Sequence, residues 1–325
     1  MVVLGAVPLP VLDVVALGET MILFLAQQTG LLREATTFSR HVAGAESNVA
    51  VGLCRLGGTA GFVSRVGDDE FGRAIVFRLR GEGVDVSRVR LDPAAPTGVL
   101  FRDRREFGGI DVVYYRRGSA ASRLAPADLD ADYLRQARYL VLSGITPALS
   151  ESCRATVFAA AEVARGAGVS VVLDPNVRLK LWSADQARAV LRDLCRLADL
   201  VLPGADEAEL LTGQADPLQA AADLRRLGPQ RVVVKLGARG AVAVDDDGVT
   251  AVEAMAIPRV IDPVGAGDAF AAGFLAGQLR GLDLAASLAL AARSGAFAMT
   301  VPADQEGLPR WEDVAGAASG ADVRR

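Results

Sequence analysis

The segment DPVGAGDAFAAGF, residues 262–274, combines a Gly-Ala-Gly turn, a carboxylate and an alanine-rich run. At the start of a helix, the backbone N–H groups of Gly265, Ala266 and Gly267 would stabilise the charge on a transferring phosphoryl group. Asp268 follows directly and could accept the proton of an attacking hydroxyl, with the helix dipole favouring its ionised form. These residues therefore predict a phosphoryl-transfer site with Asp268 as general base.

Two other interpretations of this segment compete. In one, the glycines only supply unusual backbone angles for a turn, and Asp268 caps a helix from Ala269 to Leu279. In the other, the segment is a dinucleotide-binding loop, but Phe270 stands where the third glycine of GxGxxG is needed. A carboxylate beside phosphates suits a catalytic base better than passive nucleotide binding. Gly273 and Gly277, one turn apart, are expected to let the helix pack closely on a sheet.

A phosphoryl-transfer enzyme also needs a nucleotide site, and the common sequence signatures for one are absent. No Gly-Lys pair occurs, which excludes the GxxxxGK[ST] phosphate loop, and neither HRD nor DFG is present. The remaining candidates are KLGARG, with Lys235, Gly237 and Gly240 after a strand, and Glu207 just past another strand. In a parallel sheet these strand ends can meet the start of the Asp268 helix at the carboxyl edge, where ligands bind.

The composition excludes several classes of function. The chain has 325 residues, 51% of them hydrophobic and 23% charged, with a net charge of -4, which is typical of a globular protein and not of one that coats nucleic acid. Cys54, Cys153 and Cys195 have no spacing typical of disulfides or zinc. The apolar N-terminus lacks the basic region of a signal peptide, and no apolar run reaches the roughly 20 residues that span a bilayer. We therefore expect a cytoplasmic protein without a membrane or nucleic-acid partner.

The order of apolar and amphipathic segments predicts an α/β fold. A first strand is expected at about Val11 to Leu17 and a helix from Asp68 to Arg80. After about residue 138, the strands RYLVLSG, VSVVLD, ADLVLPG and QRVVVKLG alternate with helices, such as those from Ser152 to Arg165 and from Ala184 to Leu197. Strands that are apolar throughout and separated by helices indicate a mostly parallel sheet with helices on each side.

Two segments interrupt this alternation. Residues 35–42 and 97–117, the second with TGVLFRD and IDVVYYRR around Gly108 and Gly109, resemble paired antiparallel strands outside the main sheet. Such strands at one edge of an α/β core suggest a lid, which we place at about 33–43 and 97–117. An apolar lid leaves an exposed edge and face, so we predict a homodimer or larger assembly. The tail GAASGADVRR is expected to fray.

Over nearly its whole length the chain resembles the PfkB, or ribokinase-like, carbohydrate kinases. Four motifs in order carry the resemblance: GAESNVAVGLCRLG with Gly44 and Asn48, VGDDEFG at residues 66–72, KLGARG and DPVGAGDAFAAG. The resemblance implies a three-layer α/β/α sandwich with a mostly parallel central sheet and a small β-strand lid. It also implies that residues 1–325 form a single kinase domain.

Within this family the chain looks most similar to the 2-keto-3-deoxygluconate kinases, through GAESN, YYRRGSA, LSGITPALS and DPNVRLKLW. Tyr114 and Arg116 are two apart on a strand and share a face, which offers a ring for a carbon chain and a guanidinium for a carboxylate. Arg178 supplies a second guanidinium, whereas Tyr115 should point the other way. By resemblance, the sugar-acid pocket also contains Asp268 and the following residues: Gly44, Asn48 and Asp304.

The resemblance further implies ATP and Mg²⁺ as cofactors, with a monovalent cation as an additional candidate. Glu207 would hold Mg²⁺ through water. Three positions depart from the family pattern: Gly204 and Ala292 stand where asparagines are often found, and Leu100 stands where related sugar-acid kinases often carry a tyrosine. The nucleotide would lie along six positions: Gly204, Lys235, Gly237, Gly240, Gly265 and Gly267.

Together these expectations describe ATP-dependent phosphorylation of the terminal hydroxyl of 2-keto-3-deoxygluconate, with a sugar acid and ATP as the small-molecule partners. Two alternatives stay open. Another kinase of the family, acting on fructose, ribose or a nucleoside, would not require Arg116 and Arg178. A non-catalytic sugar-acid sensor is conceivable because asparagine is missing at positions 204 and 292.

Overall fold

Two sheets and ten α-helices form the part of the chain that the computed structural model describes, residues 12–105 and 109–315. The expected first residue of the first strand, Val11, the turn residue Gly108 and the tail from residue 316 lie outside the described residues. The strands are β1 (Leu12–Leu17), β2 (Met21–Ala26), β3 (Phe38–Ala43), β4 (Ala60–Gly67), β5 (Asp85–Asp92), β6 (Val99–Arg102), β7 (Val112–Tyr115), β8 (Ala137–Ser143), β9 (Ser170–Asp174), β10 (Leu200–Val201), β11 (Arg231–Lys235), β12 (Ala241–Asp245) and β13 (Gly248–Val252). The helices are α1 (Ala45–Arg55), α2 (Glu70–Gly81), α3 (Ala131–Arg135), α4 (Glu151–Gly166), α5 (Ala184–Cys195), α6 (Ala205–Thr212), α7 (Pro217–Arg225), α8 (Ala266–Leu279), α9 (Leu284–Ala298) and α10 (Trp311–Ala315).

The large sheet has nine strands in the order β13-β12-β11-β10-β9-β8-β1-β4-β5. All neighbours from β11 to β5 pair in parallel, and β12 and β13 extend the sheet as antiparallel strands. Because side chains alternate along a strand, Val14 and Ala16 of β1 face one helical layer and Val15 and Leu17 face the other. Helices α1, α2, α8, α9 and α10 form the first layer, and α3 to α7 form the second. The three-layer α/β/α fold expected from the sequence is confirmed.

Two local predictions are wrong in detail, and one hairpin was missed. The strand predicted in ADLVLPG contains only the two residues of β10, although an isolated parallel bridge from Gly204 to Lys235 continues the contact with β11. Helix α2 begins at Glu70 and not at Asp68, because the Asp69 side chain caps it by accepting a hydrogen bond from the Gly72 N–H at 2.7 Å. The β12–β13 hairpin was not predicted. Within residues 12–105 and 109–315, no helix has the length and apolar character to cross a bilayer.

Helix α8 begins at Ala266, earlier than the predicted Ala269. Gly265 is its N-cap, in a left-handed conformation with φ 84°, so Asp268 lies inside the first turn and does not cap the helix. Gly273 and Gly277 face α9 and not the sheet, which corrects the expectation from the sequence. A Cβ atom at Gly273 would lie 2.5 Å from the Ser294 Oγ, and one at Gly277 would lie 2.8 Å from the Ser287 Oγ. These glycines therefore allow two helices to approach closely.

The small sheet has four strands in the order β3-β2-β6-β7. Strand β2, which was not predicted, lies between the two segments that the sequence suggested would pair directly; it is antiparallel to β3 and parallel to β6. Leu23, Leu25 and Leu100 form the buried face of this sheet together with Ala303. The opposite face carries a cluster of aromatic side chains. Two of them, the Phe24 and Phe101 rings, stack with their centroids 5.0 Å apart.

Candidate active site

A cavity of about 920 Å³ lies between the carboxyl edge of the large sheet and the inner face of the small sheet. Asp174 at the end of β9, Lys235 at the end of β11 and the starts of α1, α6 and α8 all contribute to its wall. This volume is at the upper end of the range for small-molecule sites, and it suits two ligands side by side. Most residues predicted for the site line the cavity: Gly44, Tyr114, Arg116, Arg178, Gly204, Glu207, Lys235, Gly237, Gly265, Gly267, Asp268 and Asp304.

Three predicted site residues do not line the cavity. Asn48 is buried behind Asp268, and its Nδ2 donates a hydrogen bond to the Asp268 Oδ2 at 2.8 Å. Gly240 has φ 91°, and a Cβ there would lie 1.9 Å from the Val252 carbonyl oxygen, so strand packing accounts for this glycine. Ala266 directs its N–H towards the Pro263 carbonyl at 3.4 Å. Asn48 consequently holds the Asp268 carboxylate in place from behind the cavity wall.

Asp268 is buried, and this changes its expected charge state. Burial raises the pKa of Asp268 to about 7, and the nearby Asp174 and Asp304 carboxylates act in the same direction. The hydrogen bond from Asn48 and the charge of Lys235 only partly oppose this effect. The helix dipole therefore does not keep Asp268 fully ionised at neutral pH, because desolvation is the larger influence. A carboxyl group with a pKa near the working pH suits a general base.

Lys235 places a cation beside the first turn of α8. Its Nζ donates to the Asp174 Oδ2 at 2.6 Å and lies 3.5 Å from where a Cβ of Gly267 would be. Burial opposes the charge, but Asp174 and Glu207 raise the pKa of Lys235 above its usual value and keep it cationic. Asp174 was not assigned a role from the sequence, although an acid at the end of a buried strand was the available signal.

Glu207 lies at the start of α6, and backbone donors surround its carboxylate. Its Oε1 accepts a hydrogen bond from the Val177 N–H at 2.7 Å and its Oε2 accepts one from the Gly204 N–H at 2.8 Å. Burial and the neighbouring Asp174 raise the pKa of Glu207. The described residues contain no group of three or more His, Cys, Asp or Glu side chains that could hold a metal ion. The arrangement therefore fits a Mg²⁺ ion that is bound by phosphates and water, with Glu207 reaching it through water.

The three departures from the family pattern differ in their position. Leu100 lines the cavity and is buried in the small sheet. Gly204 also lines the cavity, and a Cβ there would have its nearest neighbour 3.5 Å away, so a side chain would fit where this chain has none. Ala292 packs against the apolar layer under the large sheet and does not line the cavity.

Arg116 and Tyr114 lie together on the cavity wall, but the Arg116 guanidinium is already paired. Its Nε donates to the Glu19 Oε2 at 2.7 Å, its Nη2 bonds the same oxygen, and the Ser119 hydroxyl donates to the Glu19 Oε1 at 2.6 Å. The Arg116 Cζ lies 5.5 Å from the Tyr114 ring centroid. Tyr115 is 65% exposed and does not line the cavity, as expected from strand alternation. Glu19, in the loop after β1, was not predicted and fixes the orientation of Arg116.

Arg178 differs from Arg116 because its guanidinium has no acidic partner in the part of the chain that the structure describes. It lines the cavity from an exposed loop. Its Nη1 donates a long hydrogen bond, of 3.4 Å, to the carbonyl oxygen of Val177. An exposed, unpaired guanidinium loses little when it binds a carboxylate.

Arg102 was not predicted as a site residue. It links the small sheet to the loop before α8 and to the loop after α9. It is 2% exposed, its Nη1 donates to the Asp304 Oδ1 at 2.9 Å, and its Nη2 donates to the Asp262 Oδ2 at 2.5 Å. Burial raises the pKa of Asp304, while the Arg102 charge lowers it. Arg102 follows Leu100 by two residues on β6 and so shares its face, which was the signal in the sequence.

The fold and the cavity define a carbohydrate kinase of the ribokinase type. Residues 11–311 match the family described as pfkB family carbohydrate kinase, and the chain belongs to this family. It is 42% identical over 307 residues to the 2-dehydro-3-deoxygluconokinase of Bacillus subtilis (strain 168), with 94% of each chain covered. It is 41% identical over 303 residues to the 2-dehydro-3-deoxygluconokinase of Thermoproteus tenax, covering 92% of this chain and 91% of the relative.

A solved structure is similar over nearly the whole fold. It is an E. coli protein described as a ribokinase II, in complex with ATP and Mg²⁺. This chain matches it with a TM-score of 0.88 at 26% sequence identity, covering 94% of this chain and 98% of that one.

Proposed function

We propose that the protein is an ATP-dependent kinase that phosphorylates the terminal hydroxyl of 2-keto-3-deoxygluconate. The observation that carries the proposal is that one cavity contains the Asp268 carboxyl group, with its raised pKa, together with the guanidinium groups of Arg116 and Arg178. A sugar acid has a matching group for both kinds of side chain: a hydroxyl that Asp268 can deprotonate, and a carboxylate that the arginines can bind. The two curated relatives at 42% and 41% identity, both named 2-dehydro-3-deoxygluconokinase, support the same substrate.

In the proposed reaction, Asp268 accepts the proton of the terminal hydroxyl as the hydroxyl oxygen bonds to the γ-phosphorus of ATP. The bond from the γ-phosphorus to its bridging oxygen breaks, and ADP leaves. The Gly265 and Gly267 amides and the Lys235 ammonium stabilise the negative charge of the transferring group. Asn48 keeps the Asp268 carboxylate in line with the acceptor. Mg²⁺, when bound, neutralises the phosphate charge.

The nucleotide is proposed to lie along the wall that contains Gly204, Lys235 and Gly237. Support comes from the E. coli relative, which was solved with ATP and Mg²⁺ and superposes over nearly the whole chain. Gly240 is left out of this contact set because it does not line the cavity. A monovalent cation stays a prediction, and its test is a comparison of activity in K⁺ and Na⁺ salts.

The small sheet is proposed to act as a lid over the sugar acid. Its inner face supplies Leu100, Arg102, Val112 and Tyr114 to the cavity, so a ligand there would lie between the two sheets. Exclusion of water by this lid would prevent water from competing as the phosphoryl acceptor. We also propose that the protein is cytoplasmic, as expected from the sequence.

An assay that couples ADP formation to a spectroscopic signal, run on a panel of sugars and sugar acids with Mg-ATP, tests the proposed function. We expect the highest kcat/KM for 2-keto-3-deoxygluconate. A higher value for fructose, ribose or a nucleoside would assign the chain to another activity of the family. If no compound on the panel yields ADP, the protein is better explained as a non-catalytic sensor of sugar acids.

Recognition of the carboxylate is best tested at Arg178, because its replacement leaves no buried acid unpaired. We expect Arg178→Ala to raise the KM for the sugar acid about 10- to 100-fold, the effect of losing a charge-assisted hydrogen bond, and to leave the KM for ATP unchanged. Arg239 is a matched control, since it is also exposed and lines the cavity, on the turn after Lys235. Arg239→Ala should not change the KM for the sugar acid. Equal effects of Arg178→Ala on acidic and neutral sugars would contradict a role in acid recognition.

A further inference from the structure

Glu46 is a buried acid on the cavity wall that has one unpaired oxygen. It lies in the first turn of α1 and is 1% exposed. Its Oε1 accepts hydrogen bonds from the Ser143 hydroxyl at 2.5 Å and from the Thr146 hydroxyl at 2.7 Å. Its Oε2 is buried and has no hydrogen-bond partner among the described residues. Native proteins rarely leave a buried polar atom unpaired, and on a residue that lines the cavity a ligand is one source of the partner.

The surroundings of Glu46 hold its carboxyl group in one position. A Cβ at Gly18, directly after β1, would lie 2.2 Å from the Glu46 Cδ. Glycine at this position therefore leaves the room that the Glu46 side chain needs. Ser143 is the last residue of β8, the strand next to β1, and Thr146 follows it; both hydroxyls donate to the same oxygen of Glu46. The geometry therefore leaves Oε2 as the one oxygen of this carboxyl group without a hydrogen-bond partner, on a residue that lines the cavity.

We propose that Glu46 determines substrate specificity, through a hydrogen bond between its Oε2 and a hydroxyl group in the middle of the sugar-acid chain. The proposal deepens the proposed function and rests on it for the identity of the substrate. With the carboxylate at Arg116 and Arg178 and the terminal hydroxyl at Asp268, the hydroxyls on C4 and C5 of 2-keto-3-deoxygluconate remain without an assigned partner.

A hydroxyl is the substrate group that fits Oε2 best. Burial raises the pKa of Glu46, and Oε1 already accepts two hydrogen bonds, so any proton on this carboxyl is carried by Oε2. A hydroxyl can donate to the ionised form and accept from the protonated form, whereas a keto oxygen can only accept. The substrate carboxylate would be repelled by the ionised form and is better placed at the arginines.

The first experiment measures steady-state kinetics of Glu46→Ala with 2-keto-3-deoxygluconate and saturating Mg-ATP. We expect the KM for the sugar acid to rise about 10- to 100-fold, while kcat and the KM for ATP change by less than about 3-fold, because neither Glu46 nor its partners Ser143 and Thr146 are assigned to the nucleotide. Glu46→Gln should recover most of the affinity, since an amide can still pair with a hydroxyl. Ser143→Ala is the control, because it removes a bond to Oε1 and leaves Oε2 in place.

A matched set of substrates separates ligand contact from structural support. For an analogue that lacks the hydroxyl bound by Glu46, either 4-deoxy or 5-deoxy, the wild type and Glu46→Ala should have the same KM. The proposal is overturned if the penalty of Glu46→Ala persists with both analogues, or if this variant only lowers the melting temperature and leaves KM unchanged. If the wild type instead phosphorylates a different sugar, the proposed function fails, and the same comparison on deoxy analogues of that sugar still tests Glu46.

Discussion

At the scale of single residues, the Asp268 carboxyl group is subject to opposing influences. Its position in the first turn of α8 and its hydrogen bond from Asn48 favour the charged form, but burial raises its pKa to about 7. A base must be deprotonated to act, so kcat/KM for the sugar acid should rise with pH and level off above about pH 7. Below that value we expect a fall of about tenfold per pH unit. A pH profile at fixed free Mg²⁺ measures this, and a flat profile between pH 5.5 and 8 would contradict it.

Removing the Asp268 carboxylate should have opposite effects on turnover and on stability. Asp268→Asn is expected to lower kcat by roughly 10²- to 10⁴-fold, while the sugar acid still binds. Turnover close to that of the wild type would exclude Asp268 as the base.

The effect on stability follows from the raised pKa of Asp268. In the folded state Asp268 keeps its proton up to about pH 7, whereas in the unfolded chain it loses the proton near the ordinary pKa of 3.8. The contribution of Asp268 to the stability of the wild type therefore falls as the pH rises between these two values. Asn carries no charge and avoids this loss. Asp268→Asn should therefore have a higher melting temperature than the wild type at pH 8, with the difference shrinking towards pH 4.5. Calorimetry at both pH values measures this difference; one that does not depend on pH would contradict the raised pKa.

Among the secondary-structure elements, strand β6 of the small sheet is joined by Arg102 to the loop before α8, through Asp262, and to the loop after α9, through Asp304. Replacing Arg102 leaves the Asp262 and Asp304 carboxylates buried without their cation. We expect Arg102→Met to lower the free energy of unfolding by about 3–5 kcal/mol, the usual effect of breaking a buried ion pair from one side. Urea unfolding measures the loss. Arg104→Met is the control, since Arg104 is exposed on the same segment, and it should change stability by less than about 0.5 kcal/mol.

At the scale of the whole molecule, the outer face of the small sheet is apolar and exposed. Tyr115 is 65% exposed and Val113 is 36% exposed, and Phe101 packs edge-on against Tyr115. We propose that a second copy of the chain covers this face, and we expect light scattering to give the mass of a dimer or larger assembly. Tyr115→Glu should shift the protein towards monomer, because it buries a charge in the contact. Phe77→Glu, on α2 and 81% exposed, is the control and should leave the mass unchanged. A monomeric wild type would rule out the proposed assembly.

Sequence and structure agree best where a pattern is local. The GAGD turn and the pair Tyr114 and Arg116 are short motifs whose spacing fixes which side chains share a turn or a face. The apolar strands of the large sheet were predicted for the same reason, since continuous Val and Leu runs indicate burial on both faces. Strand β2 was missed because its place in the small sheet depends on β6, far along the chain. The β12–β13 hairpin is local, and the two-residue turn Asp246-Asp247 between its strands was the signal that was missed.

The polar partners in the cavity depend on contacts that are remote in sequence. Arg102 lies 202 residues from Asp304, and Ser143 lies 97 residues from Glu46. Such separations leave no periodicity to detect, so the pairing of Arg116 with Glu19 and the burial of Arg102 could not be inferred from spacing. Charge states likewise depend on contacts that are remote in sequence. The start of the helix predicted an ionised Asp268, but burial raises the pKa of this residue to about 7.

Residue types and their spacing were enough to predict the chemistry available to this protein: a glycine turn with a carboxylate for phosphoryl transfer, arginines for a carboxylate, and an α/β fold to carry them. The packing of distant segments determines which of these groups meet in one cavity, which are already paired, and what charge they carry. The physical reason is that residue type and spacing act over a few residues along the chain. Desolvation and ion pairing act through space, and they exist only once distant segments have packed together.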